Sequence, residues 1–399
     1  MKQNYKLTLG ACFVGYIVQA IVNNFAPLLF LTFQRSYGIP LEQITMLVTI
    51  NFGVQLLVDL LSAGFVDRIG YKCAVILAQV SAAAGLVLLA VLPQVMSPFP
   101  GILTAVIIYA VGGGLCEVVL SPIVEACPTD NKEKAMSLLH SFYCWGHVGV
   151  VLLSTAFFAL FGIENWRIMA VIWAVIPAVN ALVFLRAPVG SLIQEGERGM
   201  SFRELFSSKI FWVLMLLMAA AGASEQAVSQ WASTFAEQGL GVSKTVGDLA
   251  GPMAFAVMMG LSRLFYGKYG DRINLDRFMI GSGVLCVASY LCISLTPVPF
   301  LGLVGCAVCG LSVGIMWPGS FSKGAAALPR GGTAMFAMFA LSGDLGCSGG
   351  PTVVGMASGA LNGNLKLGIL AGIVFPLLVI FGVVLCSGLT RKTGVSPKS

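Results

Sequence analysis

The apolar stretch from Gly112 to Gly146 contains residues that could carry chemistry. Glu117 lies in its first arm, His140 and Tyr143 in its second, and His147 one residue beyond. An ionisable group in hydrocarbon is costly, so it is rare and faces a cavity or a partner. A carboxyl held among apolar groups can load and release a proton as its access to water changes. Imidazole titrates in a range suited to the same task. The plainer reading is a permanently neutral or paired Glu117 and neutral, hydrogen-bonding histidines. No histidine–carboxylate set has zinc spacing, and no HExxH or P-loop pattern occurs. The expectation is therefore no enzyme, no metal and no cofactor.

Other polar side chains recur at helical spacing within apolar runs. Tyr16, Gln19 and Asn23 follow i, i+3, i+7, whereas Asn51, Gln55 and Asp59 follow i, i+4, i+8, as do Glu117, Ser121 and Glu125. Gln226, Gln230 and Ser233 run beside Glu225 and Trp231. Each such face should point away from lipid. Amides and carboxylates bond hydroxyls as donors and acceptors, and Tyr143, Trp231 and Trp317 offer rings for the apolar face of a pyranose. The competing role for each amide is to tie helices together, at about 0.6–2 kcal/mol per bond. Asp59, Asp344 and Arg263 are further charges deep inside spans. Asp344 reads as a second proton site or a partner for Arg263, and both options stay open.

The elements that must position these residues are membrane helices. Only 10% of the 399 residues are charged and 57% are hydrophobic, with a mean hydropathy of +0.91. A soluble domain carries about 25% charge. A span needs about 20 apolar residues. Twelve runs reach that length: 6–33, 44–66, 72–92, 100–126, 134–160, 166–186, 209–236, 245–266, 276–296, 299–322, 333–360 and 365–389. The polar stretch Arg186 to Lys209 divides them into an N-terminal half (1–187), a linker (188–208), a C-terminal half (209–390) and a tail (391–399).

Of the 23 Lys and Arg residues, 18 fall in segments on the side of both termini. Arg35, Arg167, Lys244 and Lys366 fall on the other side, and Arg263 inside a span. This bias places both termini in the cytoplasm. The +6 net charge is too dispersed for nucleic-acid binding. Eleven scattered cysteines read as small buried hydrophobes. The first apolar run lacks a small-residue cleavage site and is expected to be retained. Short loops and the absence of N-x-S/T acceptors suit a bacterial inner membrane.

The two halves repeat. Ala63–Lys72 (AGFVDRIGYK) corresponds to Gly267–Arg277 (GKYGDRINLDR), and setting Asp67 on Asp271 places Asp59 opposite Arg263. Gly114 and Pro122 recur as Gly310 and Pro318, but Glu117 meets Val313 and His140 meets Phe339. Two homologous six-helix halves describe a transporter with its site between them near the midplane. Asp67 and Asp271, with Arg68, Lys72, Arg272 and Arg263, read as gate residues. Each Asp could face a helix N-terminus, gaining about 0.3–1 kcal/mol, with Gly331–Gly332–Thr333 and the Lys134 end of the fifth span as the candidates.

Asp67-Arg68-x-Gly70-x-Lys72, echoed at Asp271-Arg272, resembles the signature loop of the major facilitator superfamily. A narrower resemblance is to the fucose:proton symporter family. It rests on Gly114-x-x-Glu117-x4-Pro122, on His140-Ser-Phe-Tyr-x-x-Gly146, and on Glu225 with Trp231. The resemblance implies sugar uptake coupled to protons, with Glu117 at that family's membrane-embedded glutamate. Family members carry an acid in the first helix, where this chain has Gln19, Asn23 and Asn24.

The sequence therefore predicts an all-α membrane protein of twelve transmembrane helices in two pseudo-symmetric halves, the major facilitator fold. The expected activity is monosaccharide uptake by proton symport, in a monomer embedded in the lipid bilayer. Proton coupling is assigned to Glu117, Asp344 and Asp59. Substrate contacts are assigned to Gln19, Asn23, Asn51, Gln55, His140, Tyr143, Glu225, Gln226, Gln230, Trp231 and Trp317. The rivals are efflux of amphipathic compounds by the same fold and a non-transporting membrane sensor.

Overall fold

A chain this apolar has no water with which to satisfy its backbone inside a bilayer, so its spans must satisfy their own hydrogen bonds as helices. The computed structural model describes residues 5–128, 132–189, 200, 202–270, 273–328 and 331–392. Among the described residues every element is helical. Twelve long helices organise them: α1 (Tyr5–Asn24), α2 (Leu41–Ile69), α3 (Tyr71–Val95), α4 (Pro98–Ala126), α5 (Lys132–Phe161), α6 (Trp166–Arg186), α7 (Lys209–Ser229), α8 (Ala254–Tyr269), α9 (Leu275–Leu295), α10 (Pro299–Val313), α11 (Gly332–Ala360) and α12 (Val374–Lys392). Eleven of them, with their short continuations, are long and apolar enough to cross a membrane. The twelfth, α11, is 29 residues long, but glycines, serines and Asp344 dilute its apolar character.

Packing divides the chain into two compact units. The first holds Met1–Ile193 and Ser243–Leu249, and the second holds Gln194–Val242 and Ala250–Ser399. Ser243–Leu249 is tied into the first unit by charge. Lys244 Nζ donates to Leu28 O at 2.6 Å and pairs with Asp248 at 3.0 Å. Asp248 is wholly buried and also accepts from Thr155 Oγ1 at 3.2 Å. A cation that the sequence places in an outer loop is thus spent inside the protein.

Glycines set the helix spacing within each unit. In the first, a Cβ on Gly112 of α4 would come within 2.6 Å of Ala78 O and Ala82 N on α3. Gly146 of α5 lies against Ile17 and Ala20 of α1. In the second, Gly346 and Gly350 of α11 lie on the carbonyls of Ala219 and Ala223 of α7, and Gly222 of α7 answers Gly343 O. Small residues let helices approach closely where lipid offers no hydrophobic drive for association. The glycines that lower the hydropathy of α11 are the ones that seat it on α7.

Several spans are interrupted beside polar residues. Past Asn24 the chain enters a 3₁₀ turn, Ala26–Leu29 with Pro27, and then the helix Phe30–Tyr37. Past Ser229 it continues through Ala232–Thr234 and a π turn, Phe235–Gly239. Gly314 and Ile315 separate α10 from Met316–Ala327. A second π turn containing Pro252 precedes α8. Irregular backbone at membrane depth is tolerated only where protein or a cavity surrounds it. Apolar periodicity continues across these breaks, so the runs look unbroken in sequence.

Gly112→Val should lower the thermal unfolding temperature of the purified protein, by an overpacking cost of about 1–3 kcal/mol. Gly149→Ala, which meets nothing within 4 Å, should leave it unchanged in the same melting assay.

Candidate functional site

The first unit gathers its polar stripes into one cluster. Gln19 Nε2 of α1 donates to Glu117 Oε2 of α4 at 2.7 Å. One turn along α1, Asn23 Oδ1 accepts from Gln55 Nε2 at 2.8 Å and from Asn51 Nδ2 at 3.3 Å, both on α2. One turn the other way, Tyr16 OH shares a 3.1 Å hydrogen bond with Ser121 Oγ, and its ring meets His140 edge-on at 5.1 Å. Asn24 Nδ2 donates to Tyr143 OH at 3.4 Å and to Ala20 O at 2.9 Å. Gln19, Asn23, Asn51 and Gln55 are all at least nine-tenths buried. Gln19 Oε1 and Asn51 Oδ1 are buried acceptors that no donor meets. The close approach of Gly113 to Gln55 and of Gly146 to α1 makes room for this arrangement.

The second unit carries a charged cluster instead. Arg263 Nη2 of α8 pairs with Glu225 Oε2 of α7 at 3.4 Å, and Arg263 Nε donates to Gly314 O at 3.4 Å, where α10 breaks. Gln226 Nε2 donates to Glu225 Oε1 at 3.2 Å, and Gln230 Nε2 donates to Gln226 Oε1 at 2.9 Å. Of the stripe expected on the seventh span, Gln230 and Gln226 form a continuous chain of hydrogen bonds with Glu225 that ends in its ion pair with Arg263.

The predicted residues do not all keep their predicted settings. Trp231 is wholly buried, with Nε1 donating to Pro351 O at 3.0 Å, where the seventh span breaks. Trp317 is half-buried against Gly343 and Phe321. Arg263 is the partner of Glu225, an option the repeat did not indicate, since the repeat sets it opposite Asp59. His147 is buried in α5. Asp59 keeps both carboxylate oxygens away from solvent on α2, and Asp344 is buried on α11. Lys72 Nζ donates to Ala187 O at 3.2 Å, tying the start of α3 to the end of α6. The side chains of Asp67, Arg68, Glu125, Lys134 and Thr333, and all of Asp271 and Arg272, lie outside the described residues.

Sequence reasoning missed a network behind Glu117. Asn180 of α6 donates to Gln79 Oε1 of α3 at 3.1 Å and to Ala11 O of α1 at 3.1 Å, while Gln79 Nε2 donates to Cys116 Sγ at 3.1 Å. Its signal was a single amide in each of two otherwise apolar spans, with no stripe to draw attention to it. It joins α1, α3, α4 and α6 around the residue next to Glu117. Also missed was a contact of Lys323 with Asp276, whose other oxygen accepts from Ser387 Oγ at 2.5 Å.

Two bundles of membrane helices, each holding inward polar residues, define a polytopic membrane transporter. Residues 9–351 match the Major Facilitator Superfamily, and the chain belongs to that family. Its members are transporters of small molecules, not enzymes. A G-x-S-x-G string at Gly310–Gly314 fits this reading. It runs through the last turn of α10 to the break at Gly314, not along a strand-to-helix turn, and Ser312 Oγ donates to Cys309 O at 2.6 Å. No curated protein matches the chain by sequence. Among solved structures it is similar to a bacterial homolog of the human lysosomal transporter Spinster, in an inward-facing, unoccupied conformation. That likeness has 16% identity, covers 98% of each chain and has a TM-score of 0.77. It is also similar to the E. coli fucose:proton symporter FucP, at 16% identity over 96% of this chain and 99% of that one, with a TM-score of 0.66.

Removing Arg263 from the second unit's ion pair leaves the buried Glu225 without its guanidinium partner, which is destabilising. Arg263→Met should therefore lower the melting temperature in detergent. Combining it with Glu225→Gln should recover most of that loss.

Proposed function

We propose that the protein takes up a monosaccharide or a related small polar solute by proton symport with alternating access. We place it in a bacterial inner membrane, as a monomer with both termini in the cytoplasm. The observation that carries this reading is the Gln19–Glu117 hydrogen bond of 2.7 Å, set among the buried amides of Asn23, Asn51 and Gln55. A carboxyl beside a cluster of amides joins a proton site to groups that bond hydroxyls. The similarity to a fucose:proton symporter supports the same class of solute and coupling. In the second unit, Glu225, Gln226 and Gln230 supply further hydroxyl-binding groups, with Arg263 holding the carboxylate in place. Tyr143 and His140 border the first cluster, where an aromatic ring can pack on a sugar face. We keep Asp59 and Asp344 as additional proton sites, and the loop residues Asp67, Arg68, Asp271 and Arg272 as gate residues.

A thermal-shift screen of monosaccharides on purified protein should identify a stabilising sugar. In proteoliposomes with an imposed proton gradient, wild type should accumulate that sugar. Glu117→Gln should lose gradient-driven accumulation and keep counterflow exchange. Unchanged accumulation by Glu117→Gln would remove the proton role. Stabilisation by large apolar cations with no response to sugars would favour export of amphipathic compounds. Binding without counterflow would mark a sensor.

A further inference from the structure

We infer that Gln19 is an amide relay, converting the protonation state of Glu117 into a change of hydrogen-bonding polarity at the Asn23–Asn51–Gln55 cluster. The inference rests on the reading above that Glu117 takes up the coupled proton. Gln19 is 4% exposed, and its amide is held at one end, with Nε2 donating to Glu117 Oε2 at 2.7 Å. An ionised carboxylate only accepts and an amide N–H only donates, so ionised Glu117 dictates which way Gln19 faces. The other end, Oε1, is then turned into the protein, buried and met by no donor.

Asn51 has the same form. Its Nδ2 goes to Asn23 Oδ1 and its buried Oδ1 is unmet. A buried acceptor left without a donor costs about 1–3 kcal/mol. Two of them on one patch, with Gln19 one turn of α1 from Asn23, define a place where a solute or water supplies donors.

A proton taken from water onto Glu117 Oε2 makes that atom a donor. The Gln19 N–H group facing it can no longer be accommodated, because two donors then oppose each other. The terminal torsion of a glutamine is broad and roughly two-fold, so a half-turn exchanges the ends. Oε1 then accepts from the new O–H, and Nε2 takes the place Oε1 held. No bond besides that to the proton is made or broken.

The patch thereby changes from two acceptors to one donor and one acceptor. A hydroxyl has one proton to give and lone pairs to receive. A polyol therefore satisfies the mixed pair more completely than the acceptor pair, and proton and polyol favour each other's binding. A solute offering only donors, such as an alkylammonium, would instead favour the deprotonated state.

The groups around Glu117 are consistent with this assignment. Tyr16 of α1 bonds Ser121 one turn along α4 and meets His140 of α5, Cys116 precedes Glu117 in α4, and the titratable groups on the neighbouring helices are Cys12 on α1, Asp59 on α2 and Tyr143 on α5. Gln79 is the polar residue of α3 bonded to Cys116, and Glu125, further along α4, has a side chain outside the described residues. Among the described contacts, the bond that Glu117 Oε2 accepts comes from an uncharged amide.

Infrared difference spectroscopy of the full chain in lipid, with carbonyl-labelled glutamine and no added solute, tests the relay. On acidification a protonated-carboxyl band, absent in Glu117→Gln, should grow. A labelled side-chain amide band, absent in Gln19→Leu, should shift in the same titration as its carbonyl gains the carboxyl proton. The amide band should stay still in Glu117→Gln, a control that needs no substitution at Gln19. A carboxyl band that grows while every labelled amide band stays still would overturn the relay, because the proton would then sit elsewhere on the carboxyl. Absence of any titrating Glu117 band would also overturn it. Proton symport is judged separately by accumulation in Glu117→Gln, so the relay can fail while that reading stands.

Discussion

In a hydrocarbon layer a polar side chain has no water in reserve, and every amide or charge carried into a span must be answered by protein or by solute. The interior of this protein is arranged around that demand. Gln19 answers Glu117, Asn23 answers Gln55 and Asn51, Asn180 answers Gln79, and Arg263 answers Glu225. Among the described residues the accounting stops short at several buried atoms, Gln34 Nε2, Thr234 Oγ1, Ser294 Oγ and Ser358 Oγ among them. Two more, Gln19 Oε1 and Asn51 Oδ1, belong to the amides of α1 and α2. An unmet acceptor at a lipid-facing position would only destabilise. Beside an ionisable carboxyl, it is the place we propose to receive a solute.

The two units meet the demand with different chemistry. In the first, the neutral amides of Gln19, Asn23, Asn51 and Gln55 lie around Glu117, apart from the Lys244–Asp248 pair that holds Ser243–Leu249. The second uses a carboxylate and a guanidinium, whose separation leaves a buried charge and is therefore resisted. A pseudo-symmetric fold thus carries an amide cluster beside a carboxyl in one half and a carboxylate–guanidinium cluster in the other. The duplicated backbone frame, Gly114–Pro122 and Gly310–Pro318, serves both. It brings helices close enough for their polar residues to meet but does not choose which residues those are.

Close packing and helix irregularity supply the geometry. Glycine contacts between α3 and α4, and between α7 and α11, bring backbone against backbone. The breaks after Asn24, after Ser229 and at Gly314 free backbone groups next to the polar clusters. Arg263 uses one of them, Gly314 O. Breaks and clusters thus belong to one arrangement, in which the loosened backbone helps to satisfy the charged side chain.

The twelve-helix architecture was legible in the chain because span length and apolar content are local properties, set by the thickness of a bilayer. So were the stripes of Gln19, Asn51 and Glu117, since helical periodicity alone puts residues on one face. What could not be read was the pairing between faces. Helix rotation and approach decide that Glu117 meets Gln19, that Arg263 meets Glu225 although the repeat sets it opposite Asp59, and that the lone amides of Gln79 and Asn180 form one network. The chain also did not show that Trp231, an aromatic ring in a polar stripe, lies buried with its indole N–H on Pro351 O. The sequence by itself determined the fold class, the half-by-half repeat and the list of polar residues that must face inward. Only the tertiary structure decided their partners, because a hydrogen bond depends on an angle and a few tenths of an ångström that spacing along one helix does not contain.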